Sequence, residues 1–273
     1  MIRLALASLA GGIALAATSP ASASFPYTKE MTCAVGGETF KHKTTGSYSV
    51  WGRRPDGKPY GSWSFPLAIP ECPGNGLLMY RKFDDAELER LEELIERSEY
   101  RELDETPYYR AQWLEDRLLG KETPPWLLMR AIWESDREPE TRGRYLAEFA
   151  TRVEALPLDL LDRESVYLRF LLANAYRELG NFEEALAVLE TIPLASLPDS
   201  DKDWTYLRER IALLGDVTRD GETTSHPLRL IPESAAAFEC KRAMDKGKDP
   251  IDPFCETDAM RALVAKQYER EKR

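Results

Sequence analysis

The hydrophobic pattern of the chain changes abruptly at Phe83. In "FDDAELERLEELIERSEYREL" the apolar residues Leu88, Leu91 and Ile95 recur at helical spacing, and charged residues fill the positions between them. Asp84 and Asp85 precede this run, where a carboxylate can accept hydrogen bonds from the first backbone N–H groups of a helix. The pattern therefore predicts an amphipathic helix that begins at this point.

The same helical spacing continues to about Gly215. Six further segments are predicted to be helical, over residues 108–119, 124–135, 143–156, 165–179, 181–192 and 204–214. The connections between them are short, and their breakers are Pro107, Pro124, Pro125, Gly180 and Pro198. Residues 83–215 are thus predicted to form one α-helical domain.

Residues 24–82 have a different pattern, rich in glycine, proline, serine and aromatic residues. The short alternating runs "TGSYSVW" and "YGSWSF" suit strands, and "RRPDGKPYG" lies between them. Pro55 presets its own φ, and Gly57 tolerates a positive φ, so this connection has the composition of a turn. We predict a small β-hairpin domain before the helices.

One helix pair has a more specific pattern. The spacing in "LLANAYRELGNFEEALAVLETIP" is similar to that of a tetratricopeptide repeat, in which small residues let two helices approach and aromatic residues fill the gap. The positions concerned are Ala173, Tyr176, Gly180, Phe182, Ala185 and Leu189. One hypothesis is a concave surface that holds a peptide or a partner. The other is a helical bundle whose core uses the same packing.

The remaining segment, 216–273, predicts two short helices around a loop that contains proline. The predicted fold class is therefore α+β and mainly α. It combines a small disulfide-tied β-hairpin domain (24–82), a TPR-like helical bundle (83–215) and a C-terminal helical hairpin (216–273).

The first 23 residues have the pattern of a cleavable secretory signal. Arg3 is followed by an apolar run from Leu4 to Ala17 and then by the small residues of "ASA" at 21–23. The apolar run is shorter and richer in alanine than a membrane-spanning helix requires, which makes an uncleaved anchor the weaker alternative. We expect cleavage near Ala23 and Ser24 and a periplasmic or secreted product, with no transmembrane segment after cleavage.

Charge argues against some partners. The formal net charge is −10, whereas capture of nucleic acid or anionic lipid requires clustered positive charge. We therefore expect a protein, peptide or cell-envelope glycan as partner and no nucleic acid. The sequence gives no oligomeric state.

Four cysteines, Cys33, Cys72, Cys240 and Cys255, form an even set, which in an exported chain indicates disulfides. Three pairings are possible, and the order along the chain favours the two local ones, 33 with 72 and 240 with 255. On a chain-entropy basis the first bridge would contribute about 4 kcal/mol and the second about 3 kcal/mol.

A zinc site is the alternative for the first two cysteines, because "CAVGG" and "CPGNG" each look like half of a zinc knuckle. The positions of the missing second thiols hold Gly36 and Asn75, and a structural zinc ion takes four ligands. Cys33, Cys72 and His42 supply at most three, so we expect no metal.

No catalytic motif is evident. The two histidines, His42 and His226, lie in different segments, and neither belongs to a triad, a metalloprotease motif or a phosphate-binding loop. We expect no cofactor, and the sequence favours a protein that is not an enzyme.

A resemblance supports this organisation. "MTCAVGGETF", "YSVWGRRPDGKPYGSW" and "PLAIPECPGNGLLMYRKF", followed by TPR-like helices, resemble an uncharacterised bacterial family of unknown function in which two Cys-x-x-Cys-Gly knuckles precede such helices. Cys33 and Cys72 match the first cysteine of each knuckle, and Gly37 and Gly76 match the glycine. The resemblance implies a fold and no reaction.

The candidate ligand-binding residues lie in the predicted hairpin, where aromatic faces and planar cations suit sugar rings or carboxylates. They are Tyr48, Trp51, Arg53, Arg54, Tyr60 and Trp63. Two alternatives stay open: the aromatic residues pack against the helical domain, or the two arginines pair with the acidic helix that follows.

Two functional hypotheses result. The first is an exported, non-enzymatic binding or scaffold protein of the cell envelope, in which the hairpin and the helical domain jointly hold a partner. The second is a cell-envelope hydrolase or transferase with an unrecognised site between the domains, which would require convergent carboxylates in a deep cavity.

Overall fold

The fold was analysed in a computed structural model that describes residues 25–197, 202–248 and 251–271. The predicted signal segment and the connector at Pro198 lie outside these residues. The α+β, mainly α fold class is confirmed, with strands confined to the N-terminal region and helices after it.

Two antiparallel hairpins form the β region. Strands β1 (Pro26–Thr32) and β2 (Thr39–Thr45) pair along their whole length, and β3 (Val50–Arg53) pairs with β4 (Pro59–Gly61). The second hairpin has the predicted turn, but its strands overlap the predicted runs only at residues 50–51 and 60–61 and otherwise extend into the segment predicted as the turn. The hairpin of β1 and β2 is an additional element, whose turn contains Cys33.

Ten α-helices follow in the part of the chain that the structure describes. Their bounds are α1 Asp85–Glu96, α2 Ser98–Arg101, α3 Pro107–Leu119, α4 Trp126–Glu134, α5 Pro139–Ala155, α6 Arg163–Leu179, α7 Phe182–Glu190, α8 Lys202–Arg219, α9 Glu233–Asp245 and α10 Asp258–Glu271. Each predicted helical segment corresponds to one of α1 and α3 to α8, which confirms the predicted helical bundle.

Helix α1 begins as its sequence predicts. The Asp84 carboxylate accepts the N–H of Glu87 at 2.9 Å, and the Glu87 carboxylate accepts the N–H of Asp84 at 3.0 Å. This reciprocal capping satisfies two N–H groups that have no partner within the helix. Leu91 and Ile95 on the opposite side of the helix are buried.

The helix pair α6 and α7 forms a tight hairpin. Gly180 ends α6 with a φ of 82°, a left-handed conformation that favours glycine. Ala173, Ala185 and Leu189 are buried, as the repeat-like spacing predicts.

The two aromatic residues of this spacing reach other elements. The Tyr176 hydroxyl donates to the Glu154 carboxylate on α5 at 2.5 Å. The Phe182 ring lies 3.9 Å from the position that a Cβ atom at Gly221 would occupy, beyond the end of α8. The pair is therefore covered by helices on both sides, as a lone repeat requires.

The two half-knuckles face each other and are joined by a disulfide. Cys33 bonds to Cys72 with a Cα–Cα distance of 5.6 Å. The N–H of Cys33 donates to Glu38 O at 2.8 Å, and the N–H of Cys72 donates to Leu77 O at 2.9 Å. Each cysteine thus begins the same kind of turn. The disulfide itself confirms the predicted pairing of Cys33 with Cys72.

Asn75 has a structural role at the position of a missing thiol. Its amide donates to Val35 O of the other knuckle at 3.0 Å, and its side-chain oxygen accepts the N–H of Leu77 at 3.0 Å. Gly76 follows with a φ of 70°, which a side chain would strain. Hydrogen bonds and a disulfide therefore hold the knuckles together.

Among the described residues, three buried clusters make up the core. The largest is formed mainly by helices α3 to α8. The second combines the knuckles, through Cys33, Cys72, Leu77 and Leu78, with apolar residues of α1 to α3. The knuckle region and the first helices therefore share one core.

The third cluster joins α9 to α10 around Cys240 and Cys255, whose Cα atoms are 5.4 Å apart. This disulfide confirms the predicted stapled hairpin. No helix within the described residues is both long and apolar enough to cross a membrane.

Candidate functional site

The turn between β3 and β4 is buried against the helices by a network of charges. Arg54 is 8% exposed, and its guanidinium contacts the carboxylates of Asp56 and Asp136. The two bonds from Arg54 to Asp136 are both 2.9 Å, which is a bidentate arrangement. Lys58 donates to the same Asp136 at 2.7 Å. The hairpin tip is thereby fixed beside the end of α4.

The network continues into α5 and α6. Arg142 donates to Asp56 at 3.0 Å and to Glu178 at 2.7 Å, and it also donates to Ile132 O at 2.6 Å. Burial alone would raise the pKa of Asp56, but Arg54 and Arg142 outweigh burial and lower this pKa to about 2. The three cations and three carboxylates compensate one another, as buried charges require.

Backbone contacts reinforce this docking. The Trp133 indole N–H donates to Asp56 O at 3.0 Å. Gly57 has a φ of 82°, and a Cβ atom there would lie 2.6 Å from the Tyr167 hydroxyl. Only glycine lets the turn approach α6 this closely. The hairpin and the helices therefore form a fixed junction.

A cleft of about 970 Å³ opens at this junction. It is larger than the three other cavities described, which measure about 470 to 680 Å³. One wall comes from the hairpin and the segment after it, and the other comes from α3, α4 and the first turns of α6 and α8. The lining residues are Tyr48, Arg53, Gly57, Pro59, Phe65, Pro66, Leu67, Tyr108, Met129, Arg130, Trp133, Asp162, Arg163, Glu164, Tyr167, Asp203, Tyr206 and Leu207.

Hydrogen-bond donors without strong partners line this cleft. Arg53 is exposed and donates to Gly57 O at 3.0 Å. Arg130 is exposed, and its guanidinium carbon lies 5.7 Å from the centre of the Tyr108 ring. Within the described residues neither arginine contacts a carboxylate. Burial raises the pKa of Tyr167 to about 12, so its hydroxyl is protonated at neutral pH.

The carboxylates of the cleft are each engaged. Asp162 accepts the N–H of Ser165 at 3.0 Å as the N-cap of α6. Glu164 accepts the indole N–H of Trp126 at 3.0 Å. Asp203 pairs with Arg163. These three groups project from the first turns of α6 and α8, and each holds a neighbouring group.

The candidate residues from the sequence separate into different places. Tyr48 and Arg53 line the cleft. Arg54 is buried within the ion network, where its partners are Asp56 and Asp136 and not the acidic helix α1. Trp63 is half-buried and does not line the cleft.

Trp51 and Tyr60 lie beside α9 instead. They line a smaller groove of about 470 Å³ together with Phe238. Trp51 is 55% exposed and Phe238 is 52% exposed, whereas Tyr60 packs against the core of the C-terminal hairpin.

The two histidines are also far from forming a site together. Burial lowers the pKa of His42 on β2. His226 lies in the loop before α9, where its Nδ1 is 3.1 Å from the Ser225 hydroxyl. In the part of the chain that the structure describes, no group of three or more His, Cys, Asp or Glu residues is arranged to hold a metal ion.

Several residues at this junction were missed by the sequence reasoning. The sequence alone assigns no role to Asp136, Arg142 or Glu178, nor to Arg130 or Tyr167. Arg142 and Asp56 are 86 positions apart. The segment "RRPDGK" carries a signal for this ion network. Two arginines beside one aspartate in a tight turn require additional acidic partners when they are buried.

Comparisons with known proteins add no family or relative: no family model, curated protein or solved structure matches this chain.

Proposed function

We propose that this protein is an exported, non-enzymatic binding module that holds a protein, peptide or glycan partner in the cleft between its hairpin and its helices. The cleft carries this proposal, because it is the largest cavity described and combines apolar walls with a few polar groups. Ligand sites have this composition, and their volumes lie between about 300 and 1,000 Å³.

The fixed junction supports the same function. The ion network and the close approach at Gly57 hold both walls in place before a partner arrives. A preformed cleft loses little conformational freedom on binding, which favours affinity.

Export is part of the proposal. Two disulfides are typical of oxidising compartments outside the cytosol, and the signal-like residues 1–23 would direct the chain there. A periplasmic or secreted location follows from both features.

Hydrolase or transferase activity has less support in the geometry. The alternative requires two carboxylates aimed at one point, whereas Asp162, Glu164 and Asp203 each bind a neighbouring group. We also propose that this chain shares an origin with the knuckle-containing bacterial family that it resembles. In this chain a disulfide would take the place of the metal.

The test is a selection followed by affinity measurements. The protein, purified from an oxidising compartment, is screened against a random peptide library and a glycan array. Tyr48→Ala with Tyr206→Ala removes two exposed aromatic residues from the cleft and is expected to weaken the selected ligands about tenfold or more, as aromatic contacts at interfaces do.

The matched control is Trp51→Ala with Phe238→Ala, which removes two equally exposed aromatic residues from the other groove. These changes are expected to leave affinity unchanged. Ligands that respond only to the control pair, or to neither pair, would contradict binding in the cleft.

A further inference from the structure

The acceptors and donors that line the cleft differ in how strongly they are bound by other groups of the protein. Its carboxylates already accept hydrogen bonds or pair with Arg163, as described above. The groups with most capacity left for a ligand are hydrogen-bond donors. Arginine carries five N–H donors and no acceptor, and Arg53 uses one nitrogen for Gly57 O while Arg130 contacts the Tyr108 side chain.

Tyr167 adds a third donor. It is largely buried beside Gly57, and within the described residues its hydroxyl has no hydrogen-bond partner. Its ring is held by stacking on Trp126 and Phe170, with centroid distances of 6.4 and 6.2 Å. Because Tyr167 also lines the cleft, its hydroxyl can donate to an acceptor that a ligand supplies.

A ligand for this cleft must therefore be rich in acceptors. A carboxylate has acceptors only, and its two oxygens match the planar fork of a guanidinium. Sugar hydroxyls need acceptors as well as donors, and each carboxylate of the cleft already holds one N–H group or cation of the protein. An extended peptide supplies carbonyl oxygens for tyrosine hydroxyls and apolar side chains for the walls.

We infer that the cleft binds an acidic peptide segment in which an Asp or Glu carboxylate meets Arg53 and Arg130 and a neighbouring apolar side chain lies among the aromatic residues. This inference rests on the proposed binding function and names its ligand class. The net negative charge of the protein does not prevent such a contact, because at physiological salt charges beyond about 8 Å are screened.

The experiment uses the exported protein and the peptides selected from the random library. We expect Asp or Glu next to Phe, Tyr, Leu or Ile to be enriched. Arg53→Gln with Arg130→Gln should weaken these peptides about tenfold or more and abolish the enrichment. Asp→Asn or Glu→Gln changes within the peptide should have the same effect on the wild-type protein and little further effect on the double variant.

The matched control is Arg101→Gln with Arg219→Gln, which removes the same formal charge from exposed arginines outside the cleft. It should leave affinity unchanged. Selected peptides without acidic residues whose binding still depends on Tyr48 and Tyr206 would overturn the acidic assignment and preserve the binding function. Selection of glycans alone would overturn the peptide assignment, and ligands independent of the cleft would overturn both proposals.

Discussion

Asp56 is the residue on which the junction between hairpin and helices depends. It contacts Arg54 and Arg142, and its backbone oxygen accepts the Trp133 indole N–H. A buried carboxylate between two guanidinium groups is stable only while all three charges are present. The arginine named in the sequence as a ligand candidate, Arg54, therefore has a structural role here.

Replacement of Asp56 by Asn leaves both arginines without one buried partner. We expect Asp56→Asn to lower the free energy of unfolding at pH 7 by about 3 to 5 kcal/mol, as measured by urea denaturation. The control is Asp216→Asn, which removes a carboxylate from an exposed pair with Arg219 and should change stability little. Equal stability of Asp56→Asn and wild type would contradict the role of the network.

The same residue gives a pH dependence with a definite sign. The pKa of Asp56 falls from its usual value of 3.8 to about 2 in the folded protein. Its contribution, on the order of 2 kcal/mol, is therefore complete above about pH 4 and is lost as the pH falls towards 2. The stability of Asp56→Asn should change less over this interval than that of wild type, and a parallel loss in both proteins would contradict the pKa assignment.

At the scale of elements, the hairpin of β3 and β4 contacts both the central helices and the C-terminal helical hairpin. Its turn contacts α4 to α6, and Gly52 on β3 lies against Pro232, which precedes α9. The sequence predicted this hairpin and the long helices because their patterns are local. It did not indicate β1 and β2 as a separate pair, since charged and polar residues occupy both faces of "PYTKEMT" and "TFKHKTT".

Gly52→Ala tests the contact between the hairpin and α9. An added Cβ atom would lie 2.1 Å from Pro232 Cγ, and a proline ring cannot turn aside. We expect the substitution to destabilise the protein by about 1 to 3 kcal/mol in thermal or urea denaturation. The matched control is Gly143→Ala in α5, where an added Cβ atom would meet nothing within 4 Å apart from the adjoining helix backbone and alanine favours the helix by about 1 kcal/mol. Equal effects of the two changes would contradict the contact.

At the scale of the whole molecule, the hairpin contacts both the helices around the largest cluster and the C-terminal cluster, and a cleft opens beside it. The sequence indicated the order of the three regions and both disulfides, because compartment and chain order limit the pairing. It did not predict the cleft, since Arg53 and Arg130 line one cavity only after residues some 80 positions apart have docked. The placement of Tyr167 under Gly57 likewise has no local pattern.

The binding of acidic peptides in this cleft is tested most directly by hydrogen exchange, measured with and without a selected acidic peptide. If the peptide binds in the cleft, the backbone amides of residues 48–67, 126–133 and 162–167 will exchange more slowly. Amide exchange in α9 and α10 will be unchanged. Slower exchange confined to α9 and α10, beside the groove of Trp51 and Phe238, would contradict binding in the cleft.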